Sequence, residues 1–219
     1  PAKRFWPQKA EPEKQFPGKA VQVWHLAGDG LTGLIRLDAE WAADVDRVRL
    51  RVLLGPEAIE RRDEGDFVSG PLQVRALSAP GEVVIDRYQT PGDTSDWPSL
   101  EFVVTPEDAV IEAGGSITFA LWVGPEHSNP PDSFRLLEKV AGWEATWPDG
   151  RRRAVIYNEG KDELEVADPF VASGDDQAAV WSSGARWKDS AERILLLDPG
   201  VAAFLTAAGK TSAGGPPDG

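Results

Sequence analysis

The stretch Arg47-Val48-Arg49-Leu50-Arg51-Val52 alternates a cationic with an aliphatic residue at every position. Successive side chains of a β-strand point to opposite faces, so this pattern predicts a strand with arginines in water and aliphatic residues facing a core. Six further windows contain short runs of β-branched and aromatic residues bounded by Gly, Pro, Asp or Ser. The predicted strands are 20–26, 32–41, 47–54, 71–77, 82–88, 99–104 and 116–123.

Seven short strands separated by turn residues predict a mainly β fold. We expect an antiparallel β-sandwich over residues 20–132, either immunoglobulin-like or jelly-roll-like. The chain has no cysteine, so the cysteine pair typical of immunoglobulin domains is absent, and the sequence leaves both topologies open. The composition, with 41% hydrophobic and 27% charged residues, is typical of a folded globular protein.

A β-hairpin is predicted beyond the sandwich. Residues 142–147 and 151–157 flank Pro148-Asp149-Gly150, whose residue types are those of a reverse turn. Residues 133–209 are therefore expected to form a hairpin extension or a small subdomain.

A short C-terminal helix is predicted at the end of this segment. Asp198 would be its N-cap, Pro199 its first helical residue and Gly209 its C-terminal glycine. The apolar side chains that would share one face of the helix are Val201, Phe204, Leu205 and Ala208. Residues 210–219 are rich in Gly, Ser and Pro and are predicted to be a disordered tail.

The N-terminal residues differ in charge from the rest of the chain. Residues 1–20 carry a net charge of +3. Because the whole chain carries −13, the other 199 residues carry −16. Pro7, Pro12 and Pro17 exclude a helix there, and we expect an extended arm over residues 1–19. It either straps over its own domain or docks on an acidic neighbouring subunit. The side chains proposed to make that docking contact are Lys3, Arg4, Phe5, Trp6 and Phe16.

Two tryptophans and three arginines of the predicted hairpin are further candidate binding residues. Trp143 and Trp147 are four residues apart on one predicted strand and therefore share a face. Exposed, they would form a flat platform for stacking on sugar rings; buried, they would fill the core. The cluster Arg151, Arg152 and Arg153 would bind an acidic partner or pair locally with Glu144 and neighbouring acids.

Few catalytic motifs are visible. The absence of cysteine excludes thiolate nucleophiles, disulfides and iron–sulfur clusters. The two histidines, His25 and His127, lie in a predicted strand and a Pro-rich loop, and no serine lies in a nucleophile elbow. A carboxylate-dependent hydrolase remains an alternative because acidic residues are plentiful. No cofactor is expected, and the weak candidate ligands for calcium are Asp29, Asp38, Glu40, Asp44 and Asp46.

Charge and hydropathy limit the partners. An acidic body repels phosphate backbones, so nucleic acid is not an expected partner. The sequence contains neither an apolar window long enough to span a membrane nor a visible signal peptide, which favours the cytoplasm or an assembled particle. We therefore expect a non-enzymatic structural or interaction protein, for example a virion decoration or tail-type component, that binds proteins, including copies of itself. A carbohydrate-binding module that binds glycan through the tryptophan platform is the alternative.

Overall fold

The computed structural model describes residues 18–39, 48–89, 96–105, 114–137, 140–168, 170, 179–188 and 193–207. Within these ranges the chain is built of β-strands and turns, and no described segment forms a helix that could cross a bilayer. The strands are β1 (Gly18–Ala27), β2 (Gly30–Ala39), β3 (Val48–Leu53), β4 (Ile59–Asp63), β5 (Asp66–Ser69), β6 (Leu72–Ser78), β7 (Glu82–Gln89), β8 (Asp96–Val104), β9 (Ser116–Pro125), β10 (Ser133–Leu136), β11 (Ala141–Thr146), β12 (Arg152–Tyr157), β13 (Leu164–Ala167), β14 (Ala179–Trp181), β15 (Ala185–Lys188), β16 (Ile194–Leu197) and β17 (Ala202–Ala207).

These strands form four antiparallel sheets. Residues 18–125 form a six-stranded sheet in the order β1-β2-β9-β6-β5-β4 and a three-stranded sheet in the order β3-β8-β7. Residues 133–207 form a five-stranded sheet in the order β10-β11-β12-β17-β14 and a three-stranded sheet in the order β13-β16-β15. The sheets thus separate along the chain into two pairs, while the domain boundary at residue 132 stays a prediction.

Three apolar clusters lie between the sheets. The first joins the six-stranded sheet to the β3-β8-β7 sheet, where the rings of Phe119 and Phe102 meet edge to face at 5.9 Å. The second joins the other face of the six-stranded sheet to the five-stranded sheet and contains Trp122 and Trp143. The third joins the five-stranded sheet to the β13-β16-β15 sheet. Both larger sheets are therefore covered on both faces.

Coverage on both faces explains the sequence pattern of the central strands. In β9, Leu121 belongs to the first cluster and Trp122 to the second. In β12, Val155 belongs to the second cluster and Ile156 to the third. A strand buried on both faces is a continuous apolar run rather than an alternating one.

The predicted C-terminal helix is wrong, because residues 202–207 form β17. Asp198 and Val201 close a turn through a backbone hydrogen bond of 3.2 Å, with Gly200 at φ 73°, the left-handed conformation that glycine adopts in such turns. Phe204 packs against the second cluster and Leu205 belongs to the third, on the opposite face of the sheet. Because these adjacent residues both pack against apolar clusters, on opposite faces, the apolar residues of β17 do not alternate with polar ones. Their spacing therefore resembles that of an amphipathic helix.

The seven windows predicted as strands overlap β1, β2, β3, β6, β7, β8 and β9, with ends that differ by up to three residues, and the predicted hairpin is formed by β11 and β12. In β3 the alternation has the expected result on one face, where Val48 belongs to the first cluster. On the other face, Arg49 and Arg51 are not simply solvated as predicted. Both form ion pairs with Glu101 of β8, whose side chain is buried at 1% exposure.

Candidate functional site

β1 has an open outer edge in the described part of the chain. β1 is ten residues long and pairs with β2 in unbroken register from Gly18 with Ala39 to Ala27 with Gly30. On its other side, the described residues supply no strand partner. Lys19 is its one charged residue. Long edge strands without charges, prolines or bulges readily accept another strand.

Trp24 fixes the conformation of this edge. Its indole lies directly over Gly33 of β2, where an added Cβ would be 2.1 Å from the indole Cε3. The indole N–H donates a 3.2 Å hydrogen bond to the side chain of Gln22. Only glycine allows the ring to lie this close to the neighbouring strand.

A cleft of about 530 Å³ opens beside the end of β1, and we call it the β1 cleft. Four residues of β1 line one side, and residues of β12 and β17 line the other. The lining residues are Trp24, His25, Leu26, Ala27, Arg153, Phe204 and Thr206. Leu26 is 76% exposed, more than any other large hydrophobic residue among those described. Exposed apolar surface beside a concave lining is typical of a contact site.

His25 lies between the six-stranded and five-stranded sheets at the base of the cleft. Its ring centroid is 5.2 Å from that of Phe204 and 6.3 Å from that of Trp143. Nδ1 is buried and has no hydrogen-bond partner among the described residues. Burial lowers the pKa of His25, the positive charge of Arg153 lowers it further, and Asp29 opposes both. The imidazole is therefore neutral near pH 7.

Asp29, in the turn between β1 and β2, binds Arg153, the charged residue of the cleft lining. Its carboxylate accepts hydrogen bonds of 2.7 and 3.1 Å from Arg153 and one of 3.2 Å from Arg151. Burial alone would raise the pKa of Asp29, but the hydrogen bonds and charges of the two arginines hold it below its ordinary value. The Arg153 guanidinium also lies 4.5 Å from the ring centroid of Trp147.

The tryptophan platform is not exposed. Trp143 and Trp147 are 0% and 1% exposed, and both belong to the second cluster. They share a face as expected, but that face is covered by the six-stranded sheet. The rings pack in the core, so they provide no surface for stacking on a sugar.

The arginine cluster is paired within the chain. Arg151 and Arg153 bind Asp29, and Arg152 bonds to Glu144. Glu144 also accepts a 2.6 Å hydrogen bond from Arg135 of β10. Glu144 is buried at 4% exposure, so these contacts neutralise a carboxylate inside the molecule. Local pairing, one of the two expected outcomes, is what the structure has for these residues.

The acidic residues proposed for calcium are separated. Asp29 binds the two arginines, whereas Asp38 pairs with Lys19 at the opposite end of the β1–β2 hairpin and bonds to Arg36 at 2.8 Å. Eight residues of strand, roughly 26 Å, lie between them. Glu40, Asp44 and Asp46 lie outside the described residues. Within the described ranges, no group of three His, Asp or Glu side chains could hold a metal ion.

The arm residues Lys3, Arg4, Phe5, Trp6 and Phe16 lie outside the described ranges, as do residues 210–219.

Sequence reasoning missed the β1 cleft. The sequence pattern places Phe204 in a helix, and the pairing of Asp29 with arginines more than 120 positions away leaves no local pattern. The signal available in the sequence is the predicted strand that ends at the apolar residue Leu26.

Comparisons of this chain with protein-family models, curated proteins and solved structures find no match.

Proposed function

We propose that this chain is a non-enzymatic structural or interaction protein that binds protein partners, copies of itself among them, through its N-terminal arm. The observation that supports the proposal is the open β1 edge with Leu26 exposed beside an apolar cleft. Such an edge favours association with an extended chain. A surface of this kind would let the chain bind its neighbours as a subunit of a larger assembly, such as a virion decoration or tail-type component.

Charge supports the same proposal. Residues 1–17 contain four bases and two acids, a net charge of +2, and the rest of the chain then carries −15. Two acidic bodies repel each other, whereas a basic arm is attracted to an acidic body. We also propose that the packed sheets belong to the immunoglobulin-like or jelly-roll-like sandwiches, architectures that serve as subunits of assemblies by analogy of fold.

The alternatives have weaker support. Glycan binding through Trp143 and Trp147 needs exposed rings, and both are buried. A carboxylate-dependent hydrolase needs an acid free to exchange protons with a substrate. The buried carboxylates of Glu101 and Glu144 are instead each bound by two arginines.

The test is the solution mass of the full chain and of a variant lacking residues 1–17, measured by light scattering at several concentrations and two salt concentrations. The truncation ends before Gly18, because Gly18 already pairs with Ala39. We expect the full chain to associate, the association to weaken with salt, and the truncated variant to be monomeric. A full chain that is monomeric at every concentration would contradict self-assembly through the arm.

A further inference from the structure

We propose that residues 1–6 of one copy dock as an extended strand on the β1 edge of a second copy, with one of the two adjacent aromatic residues Phe5 and Trp6 in the β1 cleft. This inference rests on the proposed function and adds the site at which the arm docks. Neighbouring residues of a strand point to opposite faces, so one ring faces His25 and Phe204 and the other faces Trp24 and Leu26.

Protection of the other sheet edges favours β1 as the site. β4, at the opposite edge of the same sheet, has the sequence Ile-Glu-Arg-Arg-Asp and a register shift in its pairing with β5. β3 carries Arg49 and Arg51, and β7, the other edge of that sheet, carries Glu82, Asp86 and Arg87. β13 and β15, the edges of the smaller C-terminal sheet, are four residues long each. β10 and β14, the edges of the five-stranded sheet, are four and three residues long. Charges, bulges and short length all discourage strand addition, and among these edges β1 lacks all three apart from Lys19.

The space beside β1 fits one added strand. β11 contacts both β2 and β1, and β12 contacts β1, so β17 and β14, which follow β12 in the five-stranded sheet, extend past the β1 edge. A strand added to β1 would lie over β17, where Phe204 and Thr206 line the cleft. The β1 of a second copy would bring its own β17 and β14 into the same layer, so a single extended segment fits better than a whole second sheet.

The arm has the chemistry and the length for this position. Pro7, Pro12 and Pro17 cannot donate to a ladder and lie five residues apart. This odd spacing places them alternately on the two edges of an extended segment, so regular pairing is limited to the stretches between them. Residues 2–6, between Pro1 and Pro7, are the longest such stretch and contain Phe5 and Trp6. Residues 7–17 can then span up to about 36 Å between the two copies.

The experiment uses full-length variants and sedimentation velocity over a range of concentrations. Leu26→Lys places a charge in the cleft wall at an exposed position, and Phe5→Ala/Trp6→Ala removes the docking rings. Leu53→Lys is the matched control, because Leu53 is also an exposed leucine, 49% exposed, on the edge strand β3. We expect both test variants to weaken self-association by about tenfold or more and the control to retain it.

Mixing the two test variants gives the decisive measurement. The Leu26→Lys chain keeps an intact arm and the Phe5→Ala/Trp6→Ala chain keeps an intact cleft, so the mixture should form a complex that neither forms alone. A mixture that stays monomeric, or a Leu26→Lys chain that associates like the original, would overturn the site. If the association needs residues 1–17 but ignores Leu26→Lys, the proposed function stands and this site falls. If the full chain is monomeric, both fall.

Discussion

Both terminal nitrogens of the Arg153 guanidinium donate hydrogen bonds to the carboxylate of Asp29, at 2.7 and 3.1 Å, and so join the β1–β2 turn to β12. The side chains are 11% and 19% exposed. A two-point contact of this kind fixes the orientation of the groups as well as their distance. It holds the six-stranded sheet against the five-stranded sheet at one end of β1.

Asp29→Asn is expected to lower the free energy of unfolding by about 1–3 kcal/mol, because it leaves the poorly exposed Arg153 without its counter-charge. Chemical denaturation of the two proteins measures the difference. Asp149→Asn is the matched control, since Asp149 is exposed and pairs, among the described residues, with Arg151, and its effect should stay within about 0.5 kcal/mol. Equal effects of both substitutions would contradict the special role of the Asp29 contact.

His25 is expected to titrate below 6.5, the ordinary pKa of histidine, because burial and Arg153 both disfavour its charged form. NMR can measure this directly, since the chain has only two histidines and His127→Gln assigns the signals. A pKa of His25 above 6.5 would contradict the buried position between the sheets.

The same shift makes the stability of the fold depend on pH. A pKa that is lower in the folded state gives a stabilisation that is complete above about 6.5 and is lost as the pH falls through the folded-state pKa. Denaturation between pH 7.5 and 5 should therefore show falling stability in the original chain and a flatter profile in His25→Gln. The exposed His127→Gln should keep the original profile.

Gly33→Ala is expected to destabilise the protein by about 1–3 kcal/mol, because its Cβ would fall 2.1 Å from Cε3 of Trp24 and push the indole off β2. Gly28→Ala is the control: an added Cβ there meets nothing within 4 Å, so the effect should be small. Denaturation gives the free energies and near-ultraviolet circular dichroism shows the displaced ring. If both variants unfold alike, Trp24 does not lie over Gly33.

Gly200→Ala separates a turn from a helix by the sign of its effect. In the turn before β17, Gly200 has φ 73°, and alanine there is expected to lower the free energy of unfolding by about 1 kcal/mol. In the first turn of a helix the same change would raise it, since alanine is the better helix former. Thermal or chemical denaturation measures the sign of the change. A stabilised variant would contradict the turn at Gly200 and favour the helix predicted from the sequence.

The sequence predicts strands well where one face is polar. β3 alternates because its arginines lie on the face away from the first cluster, and the β11–β12 hairpin follows from Pro148-Asp149-Gly150. β17 is missed because burial of Phe204 and Leu205 on opposite faces removes the alternation. The site depends on distant pairs such as Asp29 with Arg153, and single-sequence patterns report only neighbours.

The central position of β9 in the six-stranded sheet also determines when that sheet can be completed. β9 is the last strand of residues 18–125 to be synthesised, yet it pairs with β2 on one side and β6 on the other. Until it arrives, the β1–β2 hairpin and the β4–β5–β6 meander are separate pieces, each with an unsatisfied inner edge. Contacts this distant along the chain form slowly. On the ribosome, the nascent chain therefore passes through a stage with two unpaired strand edges that are prone to aggregation. Chaperones would be of most use to it during this stage.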